Sequence, residues 1–114
     1  MIDVEGERTL ISEEERAKRV DLTKAVLFTI DSYKAYILDD ALSVEPLENG
    51  NYMLGIHIAD ASHFIPKDSK LDLEARRRNK KLYLQYKSVN MLPEPLSKAI
   101  SLTPEAPKLT FSLF

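Results

Sequence analysis

The amino-acid sequence predicts an α+β fold, a mainly antiparallel, hairpin-based sheet with one principal helix. Two observations carry that expectation. Asn49-Gly50 separates two runs that alternate apolar and polar residues, the strongest short-range signal for a hairpin. After Pro66 the period changes, and Leu71, Leu73 and Ala75 recur behind Ser69 as in a capped helix.

The elements follow in chain order. Ser12-Glu13-Glu14-Glu15 reads as an N-cap with an acidic first turn, and it places a short helix in a charged lead-in over residues 1–18. The apolar run Val26–Ile30 is the first strand and Ala41–Glu45 the second, with Pro46–Asn51 as the turn. Tyr52–Ala59 returns, carrying Met53, Gly55, His57 and Ala59 on one face and Leu54, Ile56 and Ile58 on the other. The helix is expected over Lys70–Lys81, with Leu71, Leu73 and Ala75 inward. Its cations Arg76, Arg77, Arg78, Lys80 and Lys81 sit near the C-terminal end, where they suit the helix dipole. Leu82–Tyr86 is a short extended piece, Met91–Ser97 a proline-punctuated loop, and Leu109–Phe114 a further strand. That apolar last run predicts an unpaired edge or an exposed patch, and with it self-association or completion by a second polypeptide.

Composition narrows the function classes. The 114 residues suffice for one domain, burying roughly 60–70% of the unfolded surface. Sixteen basic against eighteen acidic side chains leave a net charge of −2, which argues against a strongly basic nucleic-acid module but leaves room for a local basic groove. With no cysteine, disulfides and thiolate metal sites are excluded. No apolar run approaches a membrane span, and the acidic N-terminus lacks signal- and transit-peptide patterns. The expected location is cytoplasmic.

The candidate chemistry centres on Asp31, Asp39 and Asp40. Asp31 follows an apolar strand, where a carboxylate is delivered to a sheet edge. Adjacent carboxylates repel unless a cation shares them, and oxygen-only donors suit a hard cation such as Mg²⁺. An Asp after a strand and an Asp-Asp pair in a turn are also ordinary structural features. Arg76–Arg78 with Lys80 and Lys81, beside Tyr83 and Tyr86, could track a phosphate backbone or form a solvated helix end. His57 and His63 flank Asp60 at a short spacing that on its surface suggests a transition-metal site, but His57 shares its strand face with small or apolar residues, which favours a structural role.

Taken together, the segments resemble the start of the catalytic domain of the RNase II family, the RNB domain. The resemblance rests on Arg19-Val-Asp-Leu22, Thr29-Ile-Asp31, Asp39-Asp-Ala-Leu42, Asn49-Gly-Asn-Tyr52, Gly55–His63, Leu71–Ala75, Tyr83-Leu84, Met91–Glu94, Leu96-Ser97 and Ser101-Leu102, in the family's order. It runs from Arg19 to the C-terminus, so residues 19–114 are expected to be the N-terminal portion of an RNB-like ribonuclease domain. The resemblance implies a hydrolytic 3′→5′ exoribonuclease that degrades single-stranded RNA to nucleoside 5′-monophosphates with a divalent metal, Mg²⁺ or alternatively Mn²⁺. It makes Asp31, Asp39 and Asp40 the catalytic and metal-binding residues, and Tyr83 the residue that stacks on the terminal base. Ile37 stands where the family carries its second aspartate, and an isoleucine cannot ligate a metal. The family's downstream arginine, acidic residue, second aromatic clamp and OB-type RNA-binding domains have no counterpart in these 114 residues. The alternative is therefore a catalytically impaired RNB-like remnant that binds RNA or protein.

Overall fold

The computed structural model describes residues 11–114; the first ten residues of the expected lead-in lie outside them. The elements are α1 (Glu13–Ala17), β1 (Leu27–Phe28), β2 (Asp40–Pro46), β3 (Tyr52–Ala59), α2 (Ala61–Phe64), α3 (Lys70–Arg78), β4 (Leu82–Tyr83), β5 (Ser88–Val89), α4 (Glu94–Ile100) and β6 (Thr110–Leu113). One antiparallel sheet runs in the order β1-β2-β3-β6, and β4-β5 form a separate ribbon. This is the α+β architecture the sequence predicts.

The β2–β3 hairpin is the centre of the sheet, in register from Asp40 opposite Ile58 to Pro46 opposite Tyr52. Its turn works through Gly50, whose φ of 82° lies in the left-handed region that a Cβ disfavours. The Leu47 amide donates to the Asn51 carbonyl at 2.8 Å, and Asn49 Oδ1 accepts from the Asn51 amide at 3.0 Å. The first strand is shorter than Val26–Ile30 and lies at the edge. β6 pairs with the far side of β3, Ile58 opposite Phe111 and His57 opposite Ser112.

The alternation expected for β3 is present, but the buried face is the less apolar one. It carries Gly55 and His57, with Ala41 and Ser43 as their partners on β2. His57 is 1% exposed. Its Nε2 lies 2.9 Å from Ser43 Oγ and its Nδ1 2.8 Å from Ser112 Oγ. In either neutral tautomer one nitrogen donates and the other accepts, and both hydroxyls can rotate to suit. A buried ring is thus satisfied on both sides, and it joins three strands. A Cβ at Gly55 would lie 2.7 Å from His57 Nε2 and closer still to Ser43 Oγ.

The opposite face is open. Phe28, Leu42, Ile56 and Leu113 form one row across the four strands, and Ile58 and Phe111 continue it on the side of Asp40. Ile56, Ile58, Phe111 and Leu113 are between 37% and 75% exposed. The buried apolar residues, Ala41, Ala75, Leu96, Ile100 and Leu109, are few.

Two helices depart from expectation. Ser69 caps α3 as predicted, its Oγ accepting from the Asp72 amide at 3.2 Å, but Asn79 ends the helix at φ 63°. Asparagine tolerates that conformation, so Lys80 and Lys81 fall outside the helix, and Leu73 faces out while Ala75 is buried. Part of the expected loop Met91–Ser97 is α4. Pro93 is its N-cap and Pro95 sits in the first turn, where a missing N–H costs nothing.

Arg19 ties the chain's beginning to the sheet. Its guanidinium pairs with Glu15 of α1 at 2.7 Å and with Asp60 at 2.8 Å, and reaches the Thr110 carbonyl at 3.4 Å. Asp60 also caps α2, accepting from the His63 amide at 3.2 Å and from Ser62 Oγ at 2.7 Å. Burial raises the Asp60 carboxyl, but the hydrogen bonds from Ser62, Arg19 and His63 outweigh it and hold it below its ordinary value. The Arg19 hydrogen bond holds Glu15 low as well.

Gly55→Ala should destabilise the protein by about 1–3 kcal/mol through overpacking, read as a lower urea midpoint in circular dichroism. An unchanged midpoint would mean the strands part freely at this point. Because Asp60 and Glu15 titrate lower folded than unfolded, their contribution is complete above roughly pH 5 and is lost as pH falls through the folded values. Arg19→Met should remove on the order of 1 kcal/mol at neutral pH, given the partial exposure of the pairs, and should flatten the acid limb of a stability–pH profile.

Candidate nucleic-acid interface and carboxylate site

The loop from Thr29 to Asp39 joins β1 to β2 and carries the residues singled out by sequence. It turns at Ser32–Ala35, where the Ala35 amide donates to the Ser32 carbonyl at 2.9 Å. Its second half is pinned to the end of α4. The Leu38 amide donates to the buried Ser101 Oγ at 2.8 Å, and the Leu102 amide donates to the Leu38 carbonyl at 2.8 Å. Ile37 and Leu38 are half-buried, which fits an apolar side chain at Ile37 better than a carboxylate.

Asp31, Asp39 and Asp40 are all exposed. Asp40 opens β2 opposite Ile58, and the Asp39 carbonyl accepts from the Ala59 amide at 2.9 Å. The hairpin ladder therefore fixes the adjacent pair, while Asp31 stands at the other end of the loop. Among the described residues, no three His, Cys, Asp or Glu side chains group so as to hold a metal ion. The residues present do not by themselves fit a bound divalent cation.

Tyr83 lies on β4, exposed, with Lys81 Nζ 5.0 Å from its ring centroid. The ribbon returns through a turn in which the Leu84 amide donates to the Lys87 carbonyl at 2.8 Å, and Tyr86 is at its exposed tip. The arginines expected to join this patch are engaged elsewhere. Arg76 pairs with Asp72 at 2.6 Å, and Glu74 binds both Arg77 at 2.8 Å and Arg78 at 2.7 Å. Hydrogen bonds from Arg77 and Arg78 pull the Glu74 carboxyl down to about 2. Arg78 also donates to the Asn90 carbonyl at 2.9 Å. Two carboxylates, Asp72 and Glu74, engage the three arginines and leave the helix net positive, and Lys81 is the cation beside Tyr83.

His57 is enclosed by serines, and His63 Nδ1 lies 3.6 Å from Glu15 Oε1. Sequence reasoning passed over two tyrosines in the aspartate loop. Lys34 Nζ lies 5.4 Å from the Tyr33 centroid, and Lys98 Nζ of α4 lies 5.8 Å from that of Tyr36. The signal was present as Tyr33-Lys34 and Tyr36, but only the fold brings Lys98 there.

The RNB domain family matches residues 19–114, and the chain belongs to that family. It is 46% identical over 106 residues to DIS3-like exonuclease 2 of Schizosaccharomyces pombe, covering 92% of this chain and 11% of that protein. It is 44% identical over 104 residues to a protein of Arabidopsis thaliana named inactive exonuclease DIS3L2, covering 90% of this chain and 10% of that one. Its fold matches Mycoplasma genitalium RNase R, solved in complex with ribose-methylated single-stranded RNA, with TM-score 0.82, 33% identity, and coverage of 91% of this chain and 16% of that one. The chain thus spans a small part of the proteins it matches. It is similar to RNA-degrading exoribonucleases, and no described helix is long and apolar enough to cross a membrane.

Releasing the arginines tests the charge reading. Glu74→Gln should elute from heparin at higher salt than the parent, because Arg77 and Arg78 become free for polyanion. Unchanged elution would mean that those guanidinium groups face away from any bound polyanion.

Proposed function

We propose that this chain supplies the terminal-nucleotide wall of a hydrolytic 3′→5′ exoribonuclease that acts on single-stranded RNA and releases nucleoside 5′-monophosphates in the cytoplasm. The observation that carries this reading is Tyr83, presented exposed beside Lys81 within a segment that matches the RNB domain family. A base stacks on the ring whatever its identity, and the ammonium meets the backbone charge. Asp31, Asp39 and Asp40 are the proposed acidic donors of the complete site. Its cofactor would be Mg²⁺ or Mn²⁺, with further oxygen ligands from outside the described residues. The open apolar row Phe28-Leu42-Ile56-Leu113 supports burial against a second polypeptide or a second copy of this chain, because so much contiguous apolar surface beside Asp40 is otherwise wetted.

A second reading has its own support. Ile37 offers no oxygen, and the three aspartates do not converge, which favours a chain that binds RNA or protein without cleaving. The deciding experiment is a time course on 5′-labelled single-stranded RNA with Mg²⁺, with Asp40→Asn and Ile37→Asp in parallel. A ladder that shortens from the 3′ end and disappears in Asp40→Asn supports the nuclease. No cleavage by the parent or by Ile37→Asp supports the binding module. In both cases Tyr83→Ala should weaken RNA binding about fivefold or more.

A further inference from the structure

All five tyrosines of this chain are exposed: Tyr33 92%, Tyr36 52%, Tyr52 72%, Tyr83 79% and Tyr86 90%. Tyrosine is of intermediate burial in most folds, so rings as exposed as these are available for stacking. Three of the five have a lysine ammonium within cation–π range, and two of those three, Tyr33 with Lys34 and Tyr36 with Lys98, belong to the aspartate loop. Building on the RNA reading above, we propose that Tyr33 and Tyr36, with Lys34 and Lys98, form a second contact for single-stranded RNA, separate from Tyr83 and independent of divalent metal.

The loop is built to hold such a contact. The Ser32–Ala35 turn holds Tyr33 and Lys34 at its centre, with Tyr36 just after it, and Leu38 is tied through Ser101 and Leu102 to the end of α4. Lys98 is itself positioned by Glu94 of the same helix, at 2.8 Å. Its ammonium reaches Tyr36 across a tertiary contact, so the arrangement depends on the fold and not on local sequence. An ammonium over one face of a ring leaves the opposite face to a base and stands where the adjoining phosphate would pass. Lys98 shares its charge with Glu94, so Lys34 is the cation that offsets the carboxylates of its own loop, which would otherwise repel the backbone. Stacking and charge attraction need no bound metal, so the contact is independent of one.

The test is fluorescence anisotropy of a fluorescein-labelled oligoadenylate with the 114-residue chain, at low salt and with EDTA present. Tyr33→Ala and Tyr36→Ala should each weaken binding about fivefold or more, Tyr33→Phe and Tyr36→Phe should stay near the parent, and Tyr52→Ala should not change it. Lys34→Ala should weaken binding and lower its salt dependence. Binding that survives both loop alanines but falls with Tyr83→Ala would overturn this inference, leave the RNA reading intact, and return the loop tyrosines to a protein contact. A parent chain that does not bind the oligonucleotide would overturn both. Equal loss in Tyr33→Phe and Tyr33→Ala would also overturn it, because a stacked ring does not need the hydroxyl.

Discussion

The β2–β3 ladder is the constraint on which the rest of the molecule depends. Its register is set at one end by Gly50, which takes the left-handed turn without a Cβ penalty, and along its length by the alternation of the two strands. A slip of one residue would move His57 from between its serines to the open face and bring Ile56 or Ile58 into a space sized for glycine and imidazole. It would also turn Asp40 away from Ile58 and Phe111. The position of the carboxylate pair is therefore a consequence of hairpin register, not of any contact made by the carboxylates themselves.

Polar bonding does much of the work that apolar packing does in larger domains. The buried apolar set is small, and the interior of the sheet is closed by the chain Ser43–His57–Ser112–Thr110. Arg19 performs a similar task outside the sheet, joining α1, the cap of α2 and the backbone of β6. Such bonds are directional, so they specify one arrangement where a handful of aliphatic contacts would allow several. Meanwhile the larger aliphatic and aromatic side chains of β3 and β6 lie on the face that is open. That inversion makes sense for a portion of a family whose members are several times longer.

The loop from Thr29 to Asp39 shows how one segment can be read in two ways. Its aspartates read in sequence as metal donors, yet Ile37 is half-buried beside Leu38 and, among the described residues, no three carboxylates group there. The same loop displays two tyrosines, each with an ammonium near its ring. Acidic spacing by itself suggests cation binding, whereas the arranged side chains favour stacking and phosphate contact. A loop of this kind can retain affinity for RNA where a metal centre is incomplete, because stacking needs only a ring and one nearby cation.

Much of the fold was legible in the sequence because it is encoded locally. Asn49-Gly50, the period-2 runs beside it and Ser69 each act within a few residues, so the hairpin, the order of the main elements and the start of α3 could be read directly. The RNB motifs were legible for a related reason: their order and spacing survive in the linear chain. What the sequence misassigned depends on local context that overrides pattern. Asn79 stops α3 early by taking a left-handed conformation, and Pro93 and Pro95 start α4 where prolines suggested a loop. Only the tertiary structure decided which face of β3 is buried, that Arg78 reaches the Asn90 carbonyl, and that Lys98 meets Tyr36. Those outcomes depend on which distant groups compete for the same space or the same charge, and a linear sequence carries no distance between them.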